Sequence, residues 1–184
     1  MTKVRYFLKC SLILAIIPIF ALKNLLIGNN NSFMNINIED FSLTNFISSV
    51  ETMPFDYAGV GGIADCLGYY IICFKERNSD ILSAISFDDI LLHKKLTEIA
   101  NHILQTLCIP IRFGDDSHLV ASTLGHPFCI DENLFTDRKI LYYYINEGKG
   151  LLSIGINSVD KVMSLEIISH STIIKERKET LSIS

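Results

Sequence analysis

The chain predicts an α+β domain: helices packed on an antiparallel sheet with a C-terminal three-stranded meander, preceded by an N-terminal apolar segment. Three observations carry this reading. Three apolar runs of strand length, ILYYYIN, LLSIGIN and VMSLEIIS, fall between Ile140 and Ser169 and are separated by the short polar turns EGKG and SVDK. One long amphipathic stretch precedes them, and Lys3, Arg5 and Lys9 stand before the apolar run 10–22. Period-two apolar runs with aromatic and β-branched residues suit a half-buried pleated surface, and glycine or Asn/Asp turns join them as hairpins.

At the N-terminus, a basic stretch followed by CSLILAIIPIFAL is the export-signal pattern. Residues 1–28 read as a signal-anchor helix or a cleaved signal peptide, with a buried core helix as the third alternative. Extended from Cys10 to Ile27 the apolar segment reaches the lower limit for a spanning helix, about 17 residues. It then includes Lys23, which can snorkel. Basic residues stay on the cytoplasmic side, so both export readings place the body on the periplasmic or extracytoplasmic side of the inner membrane. Residues 29–32 read as a linker, 33–172 as the globular domain and 173–184 as a polar tail.

Within the body, 33–38 alternates apolar residues with Asn as a short strand, and 43–53 has helical spacing closed by Pro54. The glycines of GVGGIADCLG (59–68) lack the spacing of a phosphate loop and read as a turn or a close backbone approach. Tyr69 to Lys75 reads as a strand. Ser86 with Asp89 resembles a capping box opening the best helix of the chain, with Leu92, Leu96, Ile99, Ile103 and Leu107 on one face and Pro110 as its stop. A shorter helix over 118–124 follows, capped by Asp115 or Asp116 and ended by Gly125.

Phe113-Gly114, Val120, Leu124-Gly125, Pro127 and the Tyr142–Tyr144 strand resemble the pattern of BamE/SmpA-like domains, the superfamily that includes the repeats of β-lactamase inhibitory proteins. The resemblance covers about residues 87 to 168. It implies an α-α-β-β-β layer in an exported, non-catalytic domain that binds another protein. No family site is carried over. The chain departs from the family in lacking a lipobox, in its long first helix and in the additional strand-rich segment 33–76.

A net charge of −4 over 184 residues, with basic clusters only at Lys94-Lys95 and in the tail 175–178, argues against a nucleic-acid partner. The hydrophobic share of 49% is high, and part of it sits in the leader. Cys66, Cys73, Cys108 and Cys129 of the body read as reduced, buried thiols. If they oxidise, Cys108–Cys129 is the pairing the layout favours, because a straight strand over 69–75 would hold Cys66 and Cys73 about 20 Å apart. His93 and His102 miss chelating spacing, and Asp88-Asp89 and Asp115-Asp116 are accounted for as helix starts. No cofactor, metal or catalytic set is expected. The function these residues imply is a non-catalytic protein-binding domain of the cell envelope, in contact with the membrane through 10–27 if uncleaved. The alternatives are an immunity protein neutralising a periplasmic toxin, and a thiol-dependent hydrolase using Cys129 and His126. Tyr142, Tyr143, Tyr144, Glu147 and Lys149 are the candidate contact residues, because consecutive tyrosines place a ring on each face of a strand.

Overall fold

Alternation of large apolar side chains over 138–168 builds the centre of the sheet. The computed structural model describes residues 34–46, 61–76 and 78–181. The strands are β1 (Gly61–Leu67), β2 (Ile71–Glu76), β3 (Leu82–Phe87), β4 (Cys129–Asp131), β5 (Arg138–Ile145), β6 (Gly150–Asn157) and β7 (Val162–Ile168). They form one seven-stranded antiparallel sheet in the order β1-β2-β3-β7-β6-β5-β4. The expected meander is present as β5-β6-β7, and β3 pairs with β7 to extend it to the β1–β2 hairpin.

The helices are α1 (Lys94–Thr106), α2 (Ser117–Leu124) and α3 (Ser171–Thr180). Alternate residues of β5 divide between two apolar clusters: Leu141, Tyr143 and Ile145 in one, Ile140 and Tyr142 in the other. The larger cluster adds Ala100, Ile103 and Leu104 of α1 and Val120 of α2. The smaller adds Ile174 of α3 against Ala84, Leu151 and Ile168. The sheet is therefore covered on both faces, by α1 and α2 on one and by α3 on the other. At about 1.5–3 kcal/mol per buried Leu or Ile, the α1 face is a main source of stability.

Several sequence expectations need correction. Ser86 and Asp89 do not cap a helix. Ser86 lies in β3, a 3-10 turn occupies Ile90–Leu92, and α1 begins after His93. The buried face of α1 is rotated accordingly, and Leu92 is 70% exposed. The 59–68 glycines that fall among the described residues belong to the edge strand β1 and to the turn after it. The polar tail is in large part a helix, α3, because Ile173, Ile174 and Leu181 give it an apolar stripe to lay on the sheet. The α2 helix and its N-cap are as expected, with Asp116 accepting from the Leu119 N–H at 2.8 Å; Gly125 ends the helix, but at φ 81° and ψ −162° rather than in the left-handed helical geometry expected of it. Residues 1–33 and 47–60, and with them the leader, the linker and most of the expected 43–53 helix, lie outside the described residues.

Residues 34–38 are not a strand, yet Ile36 and Ile38 are buried. A side chain replaces the missing ladder. Asn146 Oδ1 accepts from the Ile36 N–H and Asn146 Nδ2 donates to the Ile36 carbonyl, both at 2.7 Å. The Asn146 N–H also donates to the Met34 carbonyl at 2.9 Å. Asn146→Asp keeps the acceptor and the tolerance for φ 52° but removes the donor. It should cost about 1 kcal/mol. The check is a faster hydrogen exchange at the Ile36 amide, with the global unfolding signal of β6 little changed.

Candidate functional site

Where α3 leaves the second face of the sheet uncovered, small residues line the floor. Ser86, Ser153, Gly155 and Ser164 occupy positions on β3, β6 and β7 that carry large apolar side chains elsewhere on the sheet, and the result is a groove of about 220 Å³. The strand register sets one polar row across it: Ser86 opposes Glu166, Glu166 opposes Ser153, and Ser153 opposes Tyr142. Leu134 and Phe135, from the loop between β4 and β5, form one wall, and Arg177 of α3 stands at the other side. Leu134 and Phe135 are 48% and 46% exposed, so the rim is apolar and open.

Arg138 closes one end. Only 9% of its side chain is exposed, and three carboxylates hold it. Asp137 accepts from Nε at 3.0 Å and from Nη2 at 2.9 Å, Asp89 lies 3.4 Å from Nη2, and Asp88 accepts from Nη1. The guanidinium lies 5.3 Å from the centre of the Phe135 ring. The hydrogen bond from Arg138 holds the Asp137 carboxyl below the usual aspartate range. The same contact, with those of Asp88, pushes Arg138 further up. Asp89 takes left-handed backbone, φ 48°, which aspartate tolerates, and so brings two consecutive carboxylates to one guanidinium. Gly155 makes the approach feasible, because a Cβ there would overlap Ser164 Oγ and sit 3.2 Å from Arg138 Cδ.

Two groups on the floor are incompletely satisfied. Ser153 is 6% exposed, and its buried hydroxyl has no hydrogen-bond partner in the protein. Glu166 retains about 30% side-chain exposure and lines the groove, with Arg177 Nη2 at 3.5 Å. Burial pushes the Glu166 carboxyl up, and Arg177 opposes that shift.

The residues singled out from sequence are placed differently. Tyr142 and Tyr143 are buried on opposite faces, and Tyr144 is half-buried. Tyr144 stacks on Phe128 at 4.0 Å, with Lys178 4.5 Å above its ring. None of the three offers a free ring, because α3 and the segment before β4 cover the face that sequence left open. Tyr142 still contributes to the groove wall. Glu147 and Lys149 are exposed on the β5–β6 turn, away from the residues that line this groove. No disulfide joins the four body cysteines; Cys66 and Cys73 are buried as expected, whereas Cys108 is exposed and Cys129 half-buried. Cys129 packs with the α3-side cluster, while Cys108 is flanked by Leu107 and Ile109 of the α1-side cluster, so the Cys108–Cys129 bridge is not formed. Cys66 and Cys73 are neighbours across the β1–β2 hairpin, not about 20 Å apart, because the chain reverses at Gly68–Tyr70. Burial, then Asp65, pushes the Cys73 thiol up to about 12. Burial, then Asp131, also pushes Cys129 up, and no hydrogen bond or ion pair joins it to His126, which is exposed. Among the described residues, no three His, Cys, Asp or Glu side chains converge as a metal-binding group.

Arg138, Ser153 and Glu166 were missed in the sequence. Their signal was present as polar residues at alternate positions in apolar strands, above all a glutamate within VMSLEII.

No protein-family model matches the chain, and no curated protein is similar to it. Among solved structures the chain is similar to a DUF4309 family protein (YjgB) from Bacillus subtilis subsp. subtilis str. 168. Identity is 12%, coverage is 72% of this chain and 78% of that chain, and the TM-score is 0.40.

Proposed function

We propose that the domain is a non-catalytic protein-binding module of the cell envelope, and that a partner segment docks in the groove over β5, β6 and β7. The observation that carries this reading is the groove itself: an exposed apolar rim at Leu134 and Phe135 above a floor with an unsatisfied hydroxyl. Recognition sites combine an apolar wall with a few polar groups that fix orientation. The chemistry around it favours binding over reaction. The Arg138 guanidinium is engaged by three carboxylates, and the Cys129 thiol is held in its neutral form, the reverse of an activated nucleophile.

The envelope part of the proposal rests on the sequence of residues 1–28, with its basic residues ahead of an apolar run. No helix among the described residues is long and apolar enough to cross a membrane. The BamE/SmpA-like resemblance belongs to the same proposal. The order of α1, α2, β5, β6 and β7 supports it, with β4 interposed. An immunity protein would use the same groove with a toxin as its partner.

The test is site-directed photo-cross-linking of the full chain in intact cells. A photo-reactive residue at position 134 should give a discrete heterologous protein adduct. The same residue at position 95, on exposed α1, should not. Protease added from the periplasmic side should remove the cross-linked body while leaving cytoplasmic controls intact. Equal adducts at both positions, or a body protected from that protease, would overturn the proposal.

A further inference from the structure

We propose that the groove recognises a basic side chain of the docked protein, an arginine or a lysine, whose stem lies along Leu134 and Phe135 and whose charged head reaches Glu166 and Ser153. The inference rests on the protein-binding reading above and names the chemistry that reading leaves open.

The floor offers acceptors with spare capacity. An ionised carboxylate has about four acceptor sites. Glu166 meets Arg177 at 3.5 Å, longer than the roughly 2.7–2.9 Å of a charge-assisted bond. Ser153, opposite Glu166 in the ladder, keeps a buried hydroxyl without a partner. Buried polar atoms are nearly always satisfied, so this one marks where an incoming donor completes the site.

The field has the matching sign. At the closed end Asp88, Asp89 and Asp137 meet a single guanidinium, Arg138, an excess of two negative charges there, while Glu166 and Arg177 balance each other on the floor. Such a groove between apolar walls concentrates cations and disfavours anions. Leu134 and Phe135 suit the methylene stem of a long basic side chain, which buries its carbons while its head stays polar.

Retaining an acid in this position has a cost that points the same way. The folded state raises the Glu166 carboxyl, so folding favours its protonated form. That contribution is complete below the ordinary glutamate value and is lost as pH rises through the raised folded value. At neutral pH an ionised Glu166 therefore weakens the fold. Glu166→Gln should raise Tm at pH 7, with the gain shrinking on acidification. The groups facing Glu166 are Ser86 from β3, Ser153 from β6 and Arg177 from α3, with Tyr142 and Arg138 further along the groove.

The experiment is an amide NMR titration of the full chain, solubilised in detergent, with the blocked tripeptide acetyl-Gly-Arg-Gly-amide and its lysine, citrulline and norleucine counterparts. The arginine and lysine peptides should shift the Ser153 and Glu166 amides. Citrulline and norleucine should bind at least ten-fold more weakly, and affinity for the cations should fall as pH drops through the raised Glu166 range. Glu166→Gln, folded by its Tm, should lose at least ten-fold in affinity. Equal binding of arginine and citrulline, or undiminished binding by Glu166→Gln, would overturn the inference. If position 134 still cross-links a protein in the Glu166→Gln background with undiminished yield, the docking reading stands and only its basic-side-chain chemistry is lost.

Discussion

Arg138→Ala is expected to lower stability by about 2–3 kcal/mol, which for a chain of this size is a Tm loss on the order of 4–10 °C. Removing one member of a fully buried ion pair costs about 3–5 kcal/mol. The value here is reduced because the partner carboxylates of Asp88, Asp89 and Asp137 remain about half-exposed and screened by water. What remains is mutual repulsion of three carboxylates gathered at one point, together with the lost packing of the Arg138 guanidinium over Phe135.

Two controls separate these contributions. Arg138→Met keeps the stem and removes the charge. Arg138→Lys keeps the charge but cannot reproduce the two-pronged contact with Asp137, and it should recover only part of the loss. The pH dependence follows from Asp137, whose carboxyl is lowered by the hydrogen bond from Arg138. A lowered acid contributes stability above its unfolded pKa and loses it as pH falls through the folded value. In Arg138→Ala that contribution is absent and acid relieves the repulsion. The gap between wild type and variant should therefore be widest at pH 7 and narrow toward pH 3, and high salt should narrow it as well. Urea titrations at the two pH values check this, and a gap that does not change with pH would mean the loss is one of packing alone.

The meander was legible because each of its strands is an apolar run bounded by turn residues, so local pattern and tertiary role agree. Leu82–Phe87 was missed for the opposite reason. Ser86 and Asp89 have the spacing of a helix cap, but Ser86 sits in the floor row of the sheet and Asp89 is held by a guanidinium 49 residues away. Ser86 is instead paired with Ile72 on one side and Glu166 on the other, a long-range ladder that local spacing does not reveal. Helix α3 was hidden by composition. Its sequence STIIKERKET reads as solvated, and only the exposed second face of the sheet makes Ile174 a core residue. The tyrosines show the limit of strand periodicity. It assigns rings correctly to opposite faces, but says nothing about a helix that arrives from the end of the chain to cover one of them.

The site was less legible than the fold, for a physical reason. A groove in a sheet is made by what is absent, small side chains at Ser86, Ser153, Gly155 and Ser164, and absence becomes a shape only once the strands are in register. Gly155→Val tests that account, with an expected loss of about 3 kcal/mol. Gly155 lies opposite Ile140 on one side and Ser164 on the other, with the Arg138 stem passing over it. Ser164 can turn its hydroxyl aside, which relieves a single added methyl group. Arg138 Cδ, 3.2 Å from the new Cβ, has no such freedom while Asp88, Asp89 and Asp137 hold the head group. A branched side chain must therefore either strain the strand or push the arginine out of its carboxylate clamp. The two variants should be non-additive: in an Arg138→Ala background, Gly155→Val should cost about 1–2 kcal/mol less, because the clash it creates is already gone. A double-mutant cycle by urea unfolding measures that coupling directly. Full additivity would mean that Gly155 serves the β6–β7 pairing alone, and that the groove end does not depend on the path it leaves for Arg138.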